Sequence, residues 1–170
     1  MWTTPIPVAE YLPAPLLSPN ISPPRKPGLY AAGLRRWVGE PKPHEGIMYV
    51  GITTKGEPSL LFRVSLLVLE SIGFTGENLI PVKPKRARWV SYYHTGGAKI
   101  WRYCTDPQFP KRKPNDPFVQ RDPHHEVFIS WRPEDSGFCA ACEEGRLYGL
   151  LKGEPQFLND IKPPPCGRHP

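Results

Sequence analysis

Two stretches decide how this chain folds: Pro27-Gly28-Leu29-Tyr30-Ala31-Ala32-Gly33-Leu34 and Gly46-Ile47-Met48-Tyr49-Val50-Gly51-Ile52-Thr53. Each is short, apolar, partly aromatic or β-branched and bounded by Gly or Pro, the pattern of a β-strand. The polar stretch between them carries Gly39, Pro41 and Pro43, so the pair is predicted to form an antiparallel hairpin with a long loop. Tyr30 and Tyr49 then lie on neighbouring strands, where two phenols on one face can be aimed at one spot.

Beyond the hairpin, residues 59–72 are uniform enough for a helix, with Leu60, Val64, Leu67 and Val68 at helical spacing. Arg63 stands among these apolar positions. A charge there costs several kcal/mol unless something pairs with it or its head reaches solvent. The next stretch is poorly patterned and basic. Lys83, Lys85, Arg86 and Arg88 are followed by Trp89, Tyr92, Tyr93, His94, Gly96 and Gly97, and a second run, Lys111-Arg112-Lys113, sits in a Pro-rich loop. Cations interleaved with aromatic rings suit a surface that grips a nucleic-acid backbone, and equally a solvated loop. His124 and His125 are read as loop residues. Adjacent strand positions face opposite ways and cannot readily share one ion. Val127 to Trp131 is a third strand by composition.

The last helix is predicted to start at Asp135-Ser136 and to run to Lys152, where Gly153 and Pro155 stop it. Its apolar face holds Ala140, Ala141, Leu147, Tyr148 and Leu151, and Glu144 falls on that face while Glu143 turns toward Cys139 and Arg146. An inward carboxylate suits Mg²⁺, which takes few protein oxygens and keeps several waters, or a pairing with Arg63. Cys139-Ala-Ala-Cys142 has the spacing of a zinc knuckle. A tetrahedral site would need Cys104, Cys166 or a histidine to converge on it, and buried free thiols are the simpler expectation.

The composition frames one domain with irregular additions. In 170 residues, 39% hydrophobic, the 24 prolines crowd into residues 1–27, 107–123 and the tail from Pro155. Residues 1–26 and 160–170 are therefore read as Pro-rich arms around a domain at 27–159. The net charge of +6 favours a polyanionic partner. The most apolar stretch, Leu60 to Phe74, is too short to span a bilayer and is broken by Arg63 and Glu70. No signal peptide is recognisable, so the expectation is a cytoplasmic protein with reduced cysteines, in which the Asn20-Ile21-Ser22 sequon is accidental.

Gly28-Leu29-Tyr30, Tyr49-Val50-Gly51, Arg63 on the following helix, Glu144 on the last helix and Asn159 beyond Pro155 occur in the order found in GIY-YIG nucleases. The chain resembles that family over about residues 27–159. The resemblance implies an α/β (α+β) fold, a small three-stranded antiparallel sheet flanked by helices, with an insertion at about 75–100 and a basic loop at about 105–125. It implies a metal-dependent DNA endonuclease. Tyr30, aided by Tyr49, would take or relay the proton of the attacking water, with Lys55 as the cation that makes a phenol usable near neutrality. Arg63 would neutralise the phosphoryl oxygens, Glu144 would hold Mg²⁺ (or Mn²⁺), and Asn159 would take the family's asparagine position.

Members of the family usually carry His or Tyr one turn after the arginine, where this chain has Leu67. Either His94 is delivered from the inserted segment or that role is missing; another register makes Arg88 the catalytic arginine with Tyr92 one turn on. The expected function is a site-specific type II restriction enzyme acting on double-stranded DNA as a homodimer, with Lys83, Lys85, Arg86, Arg88, Lys111, Arg112 and Lys113 as DNA contacts. The alternatives are a repair or homing-type nuclease and a non-catalytic nucleic-acid-binding module.

Overall fold

The structure, a computed structural model, describes residues 1–11, 22–54, 59–74, 94–109, 118–135 and 137–167. Its elements in chain order are β1 (Ile6–Pro7), α1 (Val8–Tyr11), β2 (Gly28–Gly33), β3 (Ile47–Thr53), α2 (Leu60–Ser71), α3 (Thr95–Thr105), α4 (Pro123–Glu126), β4 (Phe128–Pro133) and α5 (Ala140–Leu151). Every strand pairing is antiparallel, and the sheet order is β1-β4-β2-β3. Among the described residues no helix is long and apolar enough to cross a membrane.

The hairpin forms as its composition requires. Strand β2 is central, with all six residues buried, which explains its unbroken apolar sequence. Tyr30 pairs with Gly51 and Ala32 with Tyr49, and the register then skips to Gly33 opposite Ile47, leaving Met48 as a bulge. Tyr30 and Tyr49 are thus diagonal neighbours on one face. The glycine between them is a packing requirement: a Cβ on Gly51 would lie 2.5 Å from Tyr30 Oη and 2.9 Å from Tyr49 Cε1.

The sheet separates two apolar layers. On one face α2 supplies Leu60, Val64, Leu67 and Val68 and α3 supplies Ile100 and Cys104, joined by Val8 and Tyr11. On the other, α5 lays Ala140, Leu147 and Leu151 against Leu29, Ala31, Ile47 and Val50, with Trp2, Trp37 and Phe157 closing the margins. Each large aliphatic side chain buried in this way contributes about 1.5–3 kcal/mol relative to exposure.

The sheet has four strands, not the three expected, because the described start of the N-terminal segment is built into it. Ile6 pairs with Ile129 and Pro7 with Phe128, Thr3 N donates to Trp131 O at 2.9 Å, and Trp131 N donates to Thr3 Oγ1 at 3.0 Å. Residues 1–11 are therefore part of the core rather than a free arm. Proline is tolerated in β1 because this strand lies at the sheet edge, where one side of its backbone has no ladder to serve.

Helix α2 matches its expected span within a residue at each end. Helix α5 begins later than expected, at Ala140. Asp135 uses its carboxylate to accept from Gly137 N at 3.1 Å, and Phe138 N donates to Asp135 O at 3.1 Å. The predicted cap is thus a local turn ahead of the helix. His124 and His125 sit in the single-turn helix α4, whose Asp122 cap accepts from His124 N at 3.0 Å.

Candidate functional site

Tyr30, Tyr49 and His94 form one cluster of rings beside β3, the edge strand opposite β1, and the charges of Arg63 and Glu144 act on its phenols. The ring centroids are 6.2 Å apart for Tyr30 and Tyr49, 5.6 Å for Tyr30 and His94 and 5.4 Å for Tyr49 and His94. The Arg63 charge acts on both phenols and favours their ionised forms. The Glu144 carboxylate acts electrostatically on both phenols. Tyr30 and His94 are fully buried, whereas Tyr49, Arg63 and Glu144 are half-buried and form the accessible side.

His94 reaches this cluster through helix α3, an element that the sequence pattern does not announce. His94 is its N-cap, with Nδ1 accepting from Gly97 N at 3.2 Å. The Gly96-Gly97 pair looks like a turn signal, yet neither glycine is among the described residues with positive φ. The physical reason for them is close approach. A Cβ on Gly96 would stand 2.5 Å from the Tyr49 ring, and one on Gly97 would stand 2.6 Å from the Leu67 carbonyl oxygen. Two residues without side chains let the start of α3 wedge between α2 and Tyr49. Leu67, at the position where a histidine is otherwise expected, is a buried core residue.

The bond from Gly97 fixes the tautomer of His94. With Nδ1 accepting, the ring proton of the neutral form resides on Nε2, 2.7 Å from Tyr30 Oη. His94 therefore donates to the phenol oxygen and cannot also take its proton without breaking its cap. The His94 N–H on the Tyr30 oxygen and the Arg63 charge acting on the same phenol both favour phenolate. Burial opposes it and holds the Tyr30 phenol well above its ordinary value, with the neighbouring Tyr49 adding to the effect and Arg63 countering it. Tyr49 is likewise raised, by burial first; there Arg63 pulls it down and Glu144 pushes it up.

Burial, reinforced by the Arg63 charge, lowers the His94 ring to about 3. A histidine that is neutral when folded but titrates at about 6.5 when unfolded binds more protons in the unfolded state between those values. Stability should therefore fall as pH drops from about 6.5 toward 3, by several kcal/mol in all. A His94→Gln variant should show a much flatter acid limb when urea midpoints are compared across that range. Parallel limbs in the two proteins would mean that His94 is not the group responsible.

Asn159 serves the scaffold. Its Oδ1 accepts from Val50 N at 3.1 Å and its Nδ2 donates to Val50 O at 2.7 Å, while Leu158 N donates to Met48 O at 2.7 Å. Both polar ends of the amide are spent on the free edge of β3, which they blunt as a paired strand would. The same segment is tied to α3 by the ion pair between Lys99 and Asp160. Glu143 points away from the cluster, pairing with Arg146, which also binds Glu40.

Lys55, Arg88, Tyr92 and the expected DNA contacts Lys83, Lys85, Arg86, Lys111, Arg112 and Lys113 lie outside the described residues. Sequence reasoning missed the packing role of Gly51, Gly96 and Gly97, for which a Tyr-x-Gly step and a Gly-Gly pair are the available signals. Compared with family models, curated proteins and solved structures, the chain gives no match to any of them.

Proposed function

We propose that this protein is a phosphodiester hydrolase acting on double-stranded DNA in the manner of GIY-YIG nucleases. The observation that carries the proposal is the hydrogen bond from His94 Nε2 to the buried Tyr30 phenol, with the Arg63 charge acting on the same phenol. A phenol that accepts from an N–H group and is acted on by a guanidinium charge is one that can shed its proton and accept another from water. Tyr49, half-buried and with its ring 6.2 Å from that of Tyr30, gives that proton a route outward. Arg63 would neutralise charge on the phosphoryl oxygens, an effect that grows toward the transition state.

The residues fit a hard divalent cation, because Glu144 offers one half-buried carboxylate beside the phenols and leaves the remaining positions to water. Mg²⁺ or Mn²⁺ held there would stabilise the leaving oxygen. Asn159, fully engaged with Val50, contributes by holding β3 in place. Leu67 in place of a histidine is what favours a non-catalytic module, but His94 supplies an imidazole to the cluster from the N-cap of α3.

One such cluster cuts one strand, so double-strand cleavage by a restriction-type enzyme calls for two copies on a symmetric site. Incubating supercoiled plasmid with the protein and Mg²⁺ should give nicked and then linear DNA, and none when EDTA is present. Plasmid that stays supercoiled with Mg²⁺ and with Mn²⁺, at protein concentrations that retard DNA on a gel, would favour the binding module instead.

A further inference from the structure

Cys139 is the N-cap of α5, Cys142 lies in its first turn, and the tail returns Cys166 to the same place. The three sulfur atoms all lie within 4.8 Å of one another, and Cys139 Sγ and Cys166 Sγ are 3.5 Å apart. All three residues are half-buried, unlike Cys104, which is fully buried in the core. We propose that Cys139, Cys142 and Cys166 bind one structural Zn²⁺ that staples the C-terminal tail to the start of α5.

The spacing suits zinc. With Zn–S bonds of about 2.3 Å, the edge of a tetrahedral thiolate site is about 3.8 Å, inside the range these sulfurs span. A Cys-x-x-Cys pair at a helix start lets both thiolates face one ion while the first-turn N–H groups point toward the sulfurs. Three thiolates outweigh the charge of Zn²⁺, so the site as a whole is anionic and is favoured at the positive end of the helix. Cys139 makes no side-chain cap hydrogen bond to its helix, so ligation displaces none. The fourth position of the tetrahedron is left to water or to a ligand outside this trio.

This site is independent of the proposed hydrolase activity, and its test reads metal rather than cleavage. The full chain, purified with reductant and without chelator, should hold about one zinc per molecule by elemental analysis. Exchange for Co²⁺ should give thiolate-to-cobalt charge transfer and the strong visible bands of tetrahedral cobalt. Cys166→Ser should weaken zinc binding by roughly 100-fold or more and reduce the charge-transfer intensity, while Cys104→Ser should leave both unchanged. The proposal is overturned if the reduced wild-type chain takes up neither zinc nor cobalt. Full zinc retained by both Cys139→Ser and Cys166→Ser would also overturn it, as would a disulfide within the cluster in the reductively purified protein.

Discussion

Replacing Glu144 with alanine is expected to lower the DNA cleavage rate by roughly 10³-fold or more while leaving DNA affinity nearly unchanged. Glu144 is the carboxylate whose charge reaches both phenols, so on this account its removal takes away the protein's ligand for the divalent ion. Glu143→Ala is the matched control. That carboxylate belongs to an ion-pair network with Arg146 and Glu40 on the outer side of the helix, and partly exposed pairs of this kind are worth about 1 kcal/mol or less. It should cut at close to the wild-type rate. Single-turnover rates at saturating enzyme, set beside gel-shift affinities, read both variants. A Glu144→Ala protein that cuts normally, next to an inactive Glu143→Ala protein, would place the ion on the other face of α5.

The parts of this site that are legible in the sequence are those fixed by local pattern. The hairpin follows from two Gly- and Pro-bounded apolar runs, and α2 follows from the spacing of Leu60, Val64 and Leu67. Arg63 stands out because a cation interrupts that stripe, and Glu144 because a carboxylate does the same on α5. The features that escape are decided by distant contacts. Strand β1 is two residues long, follows Pro5 and ends on Pro7, and only pairing with Ile129 and Phe128 makes it a strand. Helix α3 carries two glycines in its first turn, poor helix formers whose value appears only when the Tyr49 ring and the α2 backbone press against them. Asn159 shows the same limit from the other side. A proline followed by an asparagine suggests a site residue, whereas both ends of its amide are used to hold the edge of β3.

The consequence for chemistry is that the five clustered groups do different things. His94, neutral and with its proton directed at Tyr30, acts as a donor that holds the phenol and favours its ionised form. The Arg63 charge favours the same ionised form, and the Tyr49 ring adjoins that of Tyr30 from the half-buried side. Because burial holds the Tyr30 phenol above its ordinary value, the phenolate fraction is small near neutrality and grows tenfold with each pH unit. Cleavage that depends on this phenolate should therefore accelerate steadily as pH rises through the neutral and mildly alkaline range.

Tyr30→Phe removes one oxygen from the centre of this network and leaves the ring that fills the core. Its fold, read by thermal unfolding, and its DNA affinity should both be close to wild type. The decisive measurement is the single-turnover rate of cleavage of double-stranded DNA by the wild-type and Tyr30→Phe proteins, each at saturating enzyme with Mg²⁺ and at several pH values. The expected result is a loss of about 10²–10⁴-fold, the span for a residue that moves a proton, together with loss of the rise in rate with pH. A Tyr30→Phe protein that cuts at the wild-type rate with the same pH dependence would contradict the assignment of this cluster as the catalytic site.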